Sequence, residues 1–263
     1  ARKVIRLFRD KEVDGILIGG MDFSDEISAI LVAEAFPGTP VLVFATEESP
    51  DLYLPTMDAQ TSDAFCGVLS IASGLYRRKI RYSFYGYCYP EDAAFVAAVE
   101  RFVRTCAVVR AFRGAYIGQI GPRPGAFETC SIDEKILLSS HGIRVIPMDT
   151  VMLQHAAEAL ADDDPAVASV VAAIKAEANT SEIPAERLVQ IAKAEVIVKR
   201  WAEEKQLLGV GAGFAMPPYV QGRLTDQGVM VGFEVDIMGC LAMLMQYEAA
   251  LRDEAPFLTD WNL

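Results

Sequence analysis

A regular alternation of short apolar runs with longer helical patterns is the feature that most constrains the fold of this 263-residue chain. Residues 14–20 and 40–46 are apolar runs, and residues 24–36 between them follow a helical pattern. Continuous apolar runs bounded by turn residues predict strands buried on both faces, and a helix between two such strands predicts a parallel pair. The N-terminal part of the chain is therefore expected to form a parallel sheet covered by helices.

The same alternation continues along the chain and divides it into two sets. A strand over residues 81–87 and a helix over 90–112 complete the first set, and a new strand at 114–121 begins the second. We therefore expect an α/β fold of two consecutive doubly wound units with mainly parallel sheets. These units correspond to an N-terminal α/β domain over residues 1–112 and a central α/β domain over 113–263.

The second set contains a long helical stretch before its last strand. Residues 150–205 follow helical periodicity almost throughout, whereas the Gly- and Pro-rich residues 209–218 predict a loop. A strand over 229–233 and a strongly apolar helix over 236–250 follow. The stripes in the long stretch are typical of packing helices, so we expect the chemistry near the end of the chain.

Charge and composition exclude several classes of protein. The chain has 24 Lys and Arg against 36 Asp and Glu, and the resulting net charge of −12 repels nucleic acids and anionic membrane surfaces. No apolar run approaches the roughly 20 residues of a membrane-spanning helix, and the first ten residues lack the features of a signal peptide. Five cysteines without a C-x-x-C pair indicate neither a disulfide framework nor a zinc ribbon. We therefore expect a cytoplasmic protein.

Two carboxylates stand where the strand at residues 229–233 gives way to the apolar helix. Glu234 lies between Phe233 and Val235, and a carboxylate in such surroundings is costly to bury unless it is paired or bound to a cation. Because α/β proteins bind ligands at the carboxyl ends of their strands, Glu234 is a candidate site residue. Asp236 has a simpler interpretation, in which its side chain only caps the helix.

A third carboxylate, Asp260, follows Glu234 by 26 residues in the apolar context PFLTDWN. This separation suits one helix and a return strand, and two strand ends in one parallel sheet would then point both carboxylates into one crevice. Hard oxygen ligands of this kind favour Mn²⁺ or Mg²⁺, and they also transfer protons. The spacing alone is equally compatible with two unrelated acidic residues in loops.

The loop at residues 118–130, with the sequence GQIGPRPGAFETC, is a candidate substrate loop. Its glycines and prolines restrict the backbone, and Arg123 offers a planar cationic side chain for ligand binding. The alternative is a rigid turn with a solvated arginine. Residues 209–213 (GVGAG) resemble a nucleotide-binding loop only superficially, and the chain contains neither a G-x-S-x-G motif nor a cysteine in a recognisable catalytic context.

These motifs together resemble those of a known enzyme superfamily. The segments IGQIGPRPGAFETC, LTDQGVMVGFEVDIMGCLAMLM and PFLTDWN are similar to segments of the L-fucose isomerase and L-arabinose isomerase superfamily, particularly its fucose-isomerase-like members. The resemblance extends from about Val4 to the last residue. It implies a divalent cation, usually Mn²⁺, with Glu234 and Asp260 as ligands, and it places Arg123 near the substrate. The third family ligand, a His in a C-terminal β-rich domain, has no counterpart after Asp260, so we expect this chain to lack that domain.

The resemblance also implies a reaction and a quaternary structure. The expected activity is that of an aldose–ketose isomerase, an intramolecular oxidoreductase in which the cation polarises the sugar carbonyl while Glu234 and Asp260 move a proton through an ene-diol. Active sites completed by a neighbouring subunit imply a homo-oligomer. The alternative function is a sugar-binding or regulatory module in which the carboxylates only accept hydrogen bonds from hydroxyl groups.

Overall fold

The structure, a computed structural model, describes residues 1–48, 63–213 and 216–258. The chain forms two compact units, Ala1–Arg110 and Ala111–Leu263. Each unit has its own sheet and its own hydrophobic cores. Among the described residues, no helix has both the length and the apolarity needed to cross a membrane.

The first unit is a three-stranded parallel sheet with helices on both faces. Its strands lie in the order β1-β2-β3. In chain order its elements are α1 (Arg2–Asp10), β1 (Ile16–Gly20), α2 (Glu26–Glu34), β2 (Val41–Thr46), α3 (Ala64–Arg77), β3 (Ser83–Cys88) and α4 (Ala93–Phe112).

Alternate residues of β2 show how the two faces are covered. Val43 and Ala45 belong to the core that also contains buried residues of α2 and α3. Phe44 points to the opposite face and packs on Phe95 of α4, with 4.6 Å between the ring centroids. β2 is the central strand of this sheet and is covered on both faces, which explains why its buried positions are all apolar.

The second unit contains a four-stranded parallel sheet in the order β5-β4-β6-β7. In chain order its elements are β4 (Tyr116–Ile120), α5 (Glu134–His141), β5 (Arg144–Met148), α6 (Thr150–Ala159), α7 (Pro165–Glu177), α8 (Ala185–Lys205), β6 (Leu207–Ala212), α9 (Pro218–Asp226), β7 (Met230–Phe233) and α10 (Ile237–Ala249). One core packs the sheet against α6, α8 and α9, and another packs it against α5 and α10. The predicted fold class, two α/β units with parallel sheets, is confirmed.

One local prediction was wrong, because part of the expected loop at residues 209–218 is the central strand β6, Leu207–Ala212. Its glycines are needed because α10 approaches the strand closely. A Cβ on Gly209 would lie 2.4 Å from Cys240 Sγ, and one on Gly211 would lie 2.6 Å from Ile237 Cδ1. The low strand propensity of glycine is thus overridden by packing in the tertiary structure.

The strand order of the second unit defines where a ligand is expected. From β4 the chain proceeds to β5 on one side, and it later returns to β6 on the other side of β4. In open parallel sheets, ligands bind outside the carboxyl ends of the strands at such a reversal. The loops that begin at Gly121 and at Gly213 flank this position.

Candidate functional site

Glu234 lies on a tight turn at the carboxyl end of β7. Both central residues of the turn have positive φ values, 57° for Glu234 and 61° for Val235. The amide of Asp236 donates to the carbonyl oxygen of Phe233 at 2.9 Å, which closes the turn. The amide of Val235 donates to the carbonyl oxygen of Ala212, the last residue of β6, at 3.2 Å. The turn is therefore held by backbone hydrogen bonds to both β6 and β7.

The backbone of this turn is strained, because a β-branched residue rarely adopts positive φ. Such conformations cost on the order of 1–3 kcal/mol each and concentrate at functional sites. Val235 is only 3% exposed, and its Cγ2 would lie 3.3 Å from a Cβ on Gly213. Burial of this side chain holds the turn in place, and Glu234 remains partly accessible beside it.

Asp236 caps the helix that follows the turn, as its position in the sequence predicted. Its Oδ1 accepts a hydrogen bond from the amide of Gly239 at 2.9 Å, and Asp236 is the N-cap residue of α10. The interpretation as a helix cap is confirmed. One oxygen of the Asp236 carboxylate therefore caps α10. Among the described residues, Glu234 caps no helix and forms no ion pair.

Arg123 stabilises its own loop. Its Nη1 donates to the carbonyl oxygens of Pro124 and Phe127, at 3.1 Å each. It forms no ion pair with any carboxylate of residues 1–48, 63–213 or 216–258. Because Nη1 holds the loop together, these contacts favour the interpretation of the loop as a rigid turn. A contact between the other guanidinium nitrogens and a substrate stays a prediction.

Cys130, the last residue of the Arg123 loop, lies close enough to the Glu234 turn for the two to interact electrostatically. The sequence analysis assigned no role to it. It ends a short 3-10 helix, Glu128–Cys130, and is buried. Burial raises the pKa of its thiol, and the nearby carboxylates of Asp236 and Glu234 raise the pKa further, whereas Arg123 lowers it. The two candidate segments, more than a hundred residues apart in the chain, are thus neighbours in space. Cys130 ends the motif GQIGPRPGAFETC, but the motif contains no information about distant residues, so only the tertiary structure indicates this proximity.

Asp260, the second predicted metal ligand, lies outside the described residues. The described chain ends at Leu258, whose Cδ2 would lie 3.4 Å from a Cβ on Gly239. Gly239 is also the residue whose amide is bound by Asp236. The last described segment therefore returns to the first turn of α10, next to the turn that carries Glu234.

Two carboxylates at this edge, those of Glu234 and Asp236, have the chemistry that a divalent cation prefers. Glu234 offers the carboxylate oxygens that Mn²⁺ and Mg²⁺ prefer, and Asp236 retains one oxygen that is not used for capping. No group of three His, Cys, Asp or Glu side chains with the geometry of a metal site is found in the described part of the chain. A complete site therefore requires further ligands, and the metal stays a prediction.

Comparison with known families gives independent support for the resemblance found in the motifs. The sequence model of the fucose/sulfoquinovose isomerase N-terminal domain matches residues 1–113. The first unit is therefore similar to this domain. The chain is thus fucose-isomerase-like in its N-terminal unit, whereas the motifs that carry Glu234 and Arg123 lie in the second unit. A comparison with curated protein sequences gave no match to the chain.

Proposed function

We propose that this fucose-isomerase-like protein is a metal-dependent aldose–ketose isomerase whose reaction takes place at the carboxyl edge of the second sheet. The observation that carries the proposal is Glu234, a partly buried carboxylate on a strained turn beside the reversal in strand order. The N-terminal domain of the fucose/sulfoquinovose isomerase family supports a sugar as the substrate. The proximity of the Arg123 loop to Glu234 supports the same edge as the site.

In the proposed reaction, Glu234 is the general base. Its carboxylate removes the proton from the carbon next to the carbonyl of the open-chain sugar and returns it to the neighbouring carbon, so that an ene-diol lies between aldose and ketose. Asp260 is proposed to move the proton between the two oxygens. A bound Mn²⁺ or Mg²⁺ would stabilise the negative charge that develops on these oxygens. The fixed backbone of the turn limits the positions that the Glu234 carboxylate can adopt.

The position of Leu258 supports the participation of Asp260. Leu258 lies two positions before Asp260, and two residue steps of extended chain span at most about 7 Å. Leu258 contacts the beginning of α10, where Asp236 caps the helix. The described part of the chain therefore ends beside the helix that follows the Glu234 turn, which supports the proposed role of Asp260.

Turnover and metal dependence test this function together. The full chain would be incubated with aldoses in D₂O, and ketose formation and deuterium incorporation at C2 would be followed by NMR. We expect ketose to form with Mn²⁺ present, to cease after EDTA and to return when Mn²⁺ is added again. Sugar binding without isomerisation or exchange under all these conditions would contradict the proposal and favour the binding-module alternative.

We also propose that the protein is a homo-oligomer. Phe23, Ile27 and Leu31, spaced four residues apart along α2 and the loop before it, are 60%, 55% and 37% exposed. Apolar side chains in such a row are typical of helix-to-helix interfaces. Light scattering at micromolar concentration should return a multiple of 28.7 kDa, and Ile27→Lys should lower this mass. A monomeric mass for the unmodified chain would contradict the proposal.

A further inference from the structure

A cavity of about 340 Å³ opens in the first unit between α4 and the amino ends of β2 and β3. Its volume is at the lower end of the range of small-molecule sites. The cavity lies at the end of the strands opposite to the carboxyl edge, where α/β proteins usually bind their substrates. None of its lining residues belongs to the proposed reaction site in the second unit.

Two arginines line this cavity, one from the helix and one from the sheet. Arg101 lies on α4 three residues after Ala98 and four before Thr105. All three line the cavity, so Arg101 belongs to the face of α4 that is turned toward the sheet. Arg81 and Ser83 line the cavity from the beginning of β3, two positions apart, which is the spacing of residues on one face of a strand. Both guanidinium groups therefore border the same space.

The charges of the two arginines are not compensated within the described part of the chain. There, neither guanidinium group takes part in an ion pair or a hydrogen bond, and no carboxylate lines the cavity. Arginines nearby in the sequence are paired. Arg78 contacts Glu34 at 3.5 Å, and Arg110 of α4 contacts Asp14 at 2.9 Å. Because like charges that border one cavity repel each other, an anion bound between them would be stabilised by both.

A hydroxyl group and an apolar wall complete the cavity. The hydroxyl of Ser83 has no hydrogen-bond partner among the residues that the structure describes, so it is available to donate to a ligand. The hydroxyl of Thr105, in contrast, donates to the carbonyl oxygen of Arg101 at 2.9 Å. Leu42, which is aligned with Ser83 in the sheet, and Phe102 supply apolar surface. The cavity therefore offers two cations and one hydroxyl donor beside an apolar wall.

We propose that this cavity binds a small phosphate monoester. Guanidinium groups bind phosphate oxygens through paired, charge-assisted hydrogen bonds. Two of them match the charge of a phosphate monoester, which approaches −2 above neutral pH, whereas a carboxylate would leave one cation uncompensated. The apolar wall suits the organic part of the ester, and the small volume suits a small one. The site is independent of the proposed isomerase function.

Phenyl phosphate, benzoate and inorganic phosphate provide the test, because the first two share a ring and differ in charge. Ligand-observed NMR titration of the full chain in metal-free buffer at about pH 8, where the monoester is a dianion, would give the dissociation constants. We expect phenyl phosphate to bind with a dissociation constant of about 1 mM or lower, and at least about tenfold more tightly than benzoate. Inorganic phosphate should bind more weakly than phenyl phosphate, because it makes no contact with the apolar wall.

Three results would overturn the proposal. These are no binding of phenyl phosphate, equal binding of benzoate, and binding of inorganic phosphate as tight as that of phenyl phosphate. The last would identify the cavity as a site for an adventitious ion only.

Substitutions of the lining residues locate the bound ligand. Arg81→Gln and Arg101→Gln should each weaken phenyl phosphate binding by about fivefold or more, and Ser83→Ala by about threefold, because each removes a hydrogen-bond donor. Arg77→Gln is the matched control, because Arg77 is exposed in the same unit and does not line the cavity. It removes the same charge and should change binding less than about twofold. Binding that responds equally to Arg77→Gln, or to none of the variants, would overturn the assignment to the cavity.

Discussion

Glu234→Gln should lower the rate of aldose–ketose interconversion by about 10²–10⁴-fold, the usual contribution of a general base. The amide keeps the size of the side chain but does not accept a proton at neutral pH. The left-handed backbone of residues 234 and 235 depends on the buried side chain of Val235, so the fold should be unchanged. Deuterium exchange at C2 would report proton abstraction directly, and circular dichroism would report the fold.

Glu203→Gln is the matched control, because Glu203 is an exposed residue near the end of α8. It removes the same charge from the second unit without changing the carboxyl edge of the sheet. Its turnover should equal that of the unmodified chain. An active Glu234→Gln variant with normal C2 exchange would contradict the proposed mechanism.

Arg223→Met should lower the free energy of unfolding by about 3–5 kcal/mol, because it leaves a buried carboxylate without its charged partner. Glu195 is 1% exposed, and its two oxygens accept from Arg223 Nε at 2.6 Å and Nη2 at 3.1 Å. Arg223 also pairs with Glu177, and these contacts join α9 to α8 and α7. Both carboxylates raise the pKa of Arg223, and its positive charge lowers the pKa of Glu177. Urea denaturation of the two proteins would measure the difference.

Two further variants separate the buried charge from the loss of packing. Arg200→Met removes an arginine whose side chain is 52% exposed and which pairs with Asp164, so it should cost less than about 1 kcal/mol. Adding Glu195→Leu to Arg223→Met removes the unpaired carboxylate and should recover a large part of the stability. An Arg223→Met variant as stable as Arg200→Met would contradict this account of the network.

Much of the fold was predictable because its signals are local. The runs that became β1, β2, β4 and β7 are apolar and short, and the flanking segments follow helical periodicity. Within residues 150–205, Asp164 and Pro165 separate α6 from α7, since Asp164 accepts a hydrogen bond from the amide of Ala166 and caps α7. β6 was missed because its glycines are selected by the approach of α10, which depends on residues about thirty positions away.

The sequence by itself determined the α/β class, the two sets of elements and the presence of a carboxylate, Glu234, at a strand end, because these follow from periodicity and from neighbours in the chain. Only the tertiary structure decided the order of the second sheet, the proximity of Cys130 to the Glu234 turn and the positive φ of Val235. Each of these depends on contacts between residues far apart in the chain. A β-branched residue remains in a left-handed conformation only where surrounding packing compensates for the strain, and local propensity contains no information about that packing.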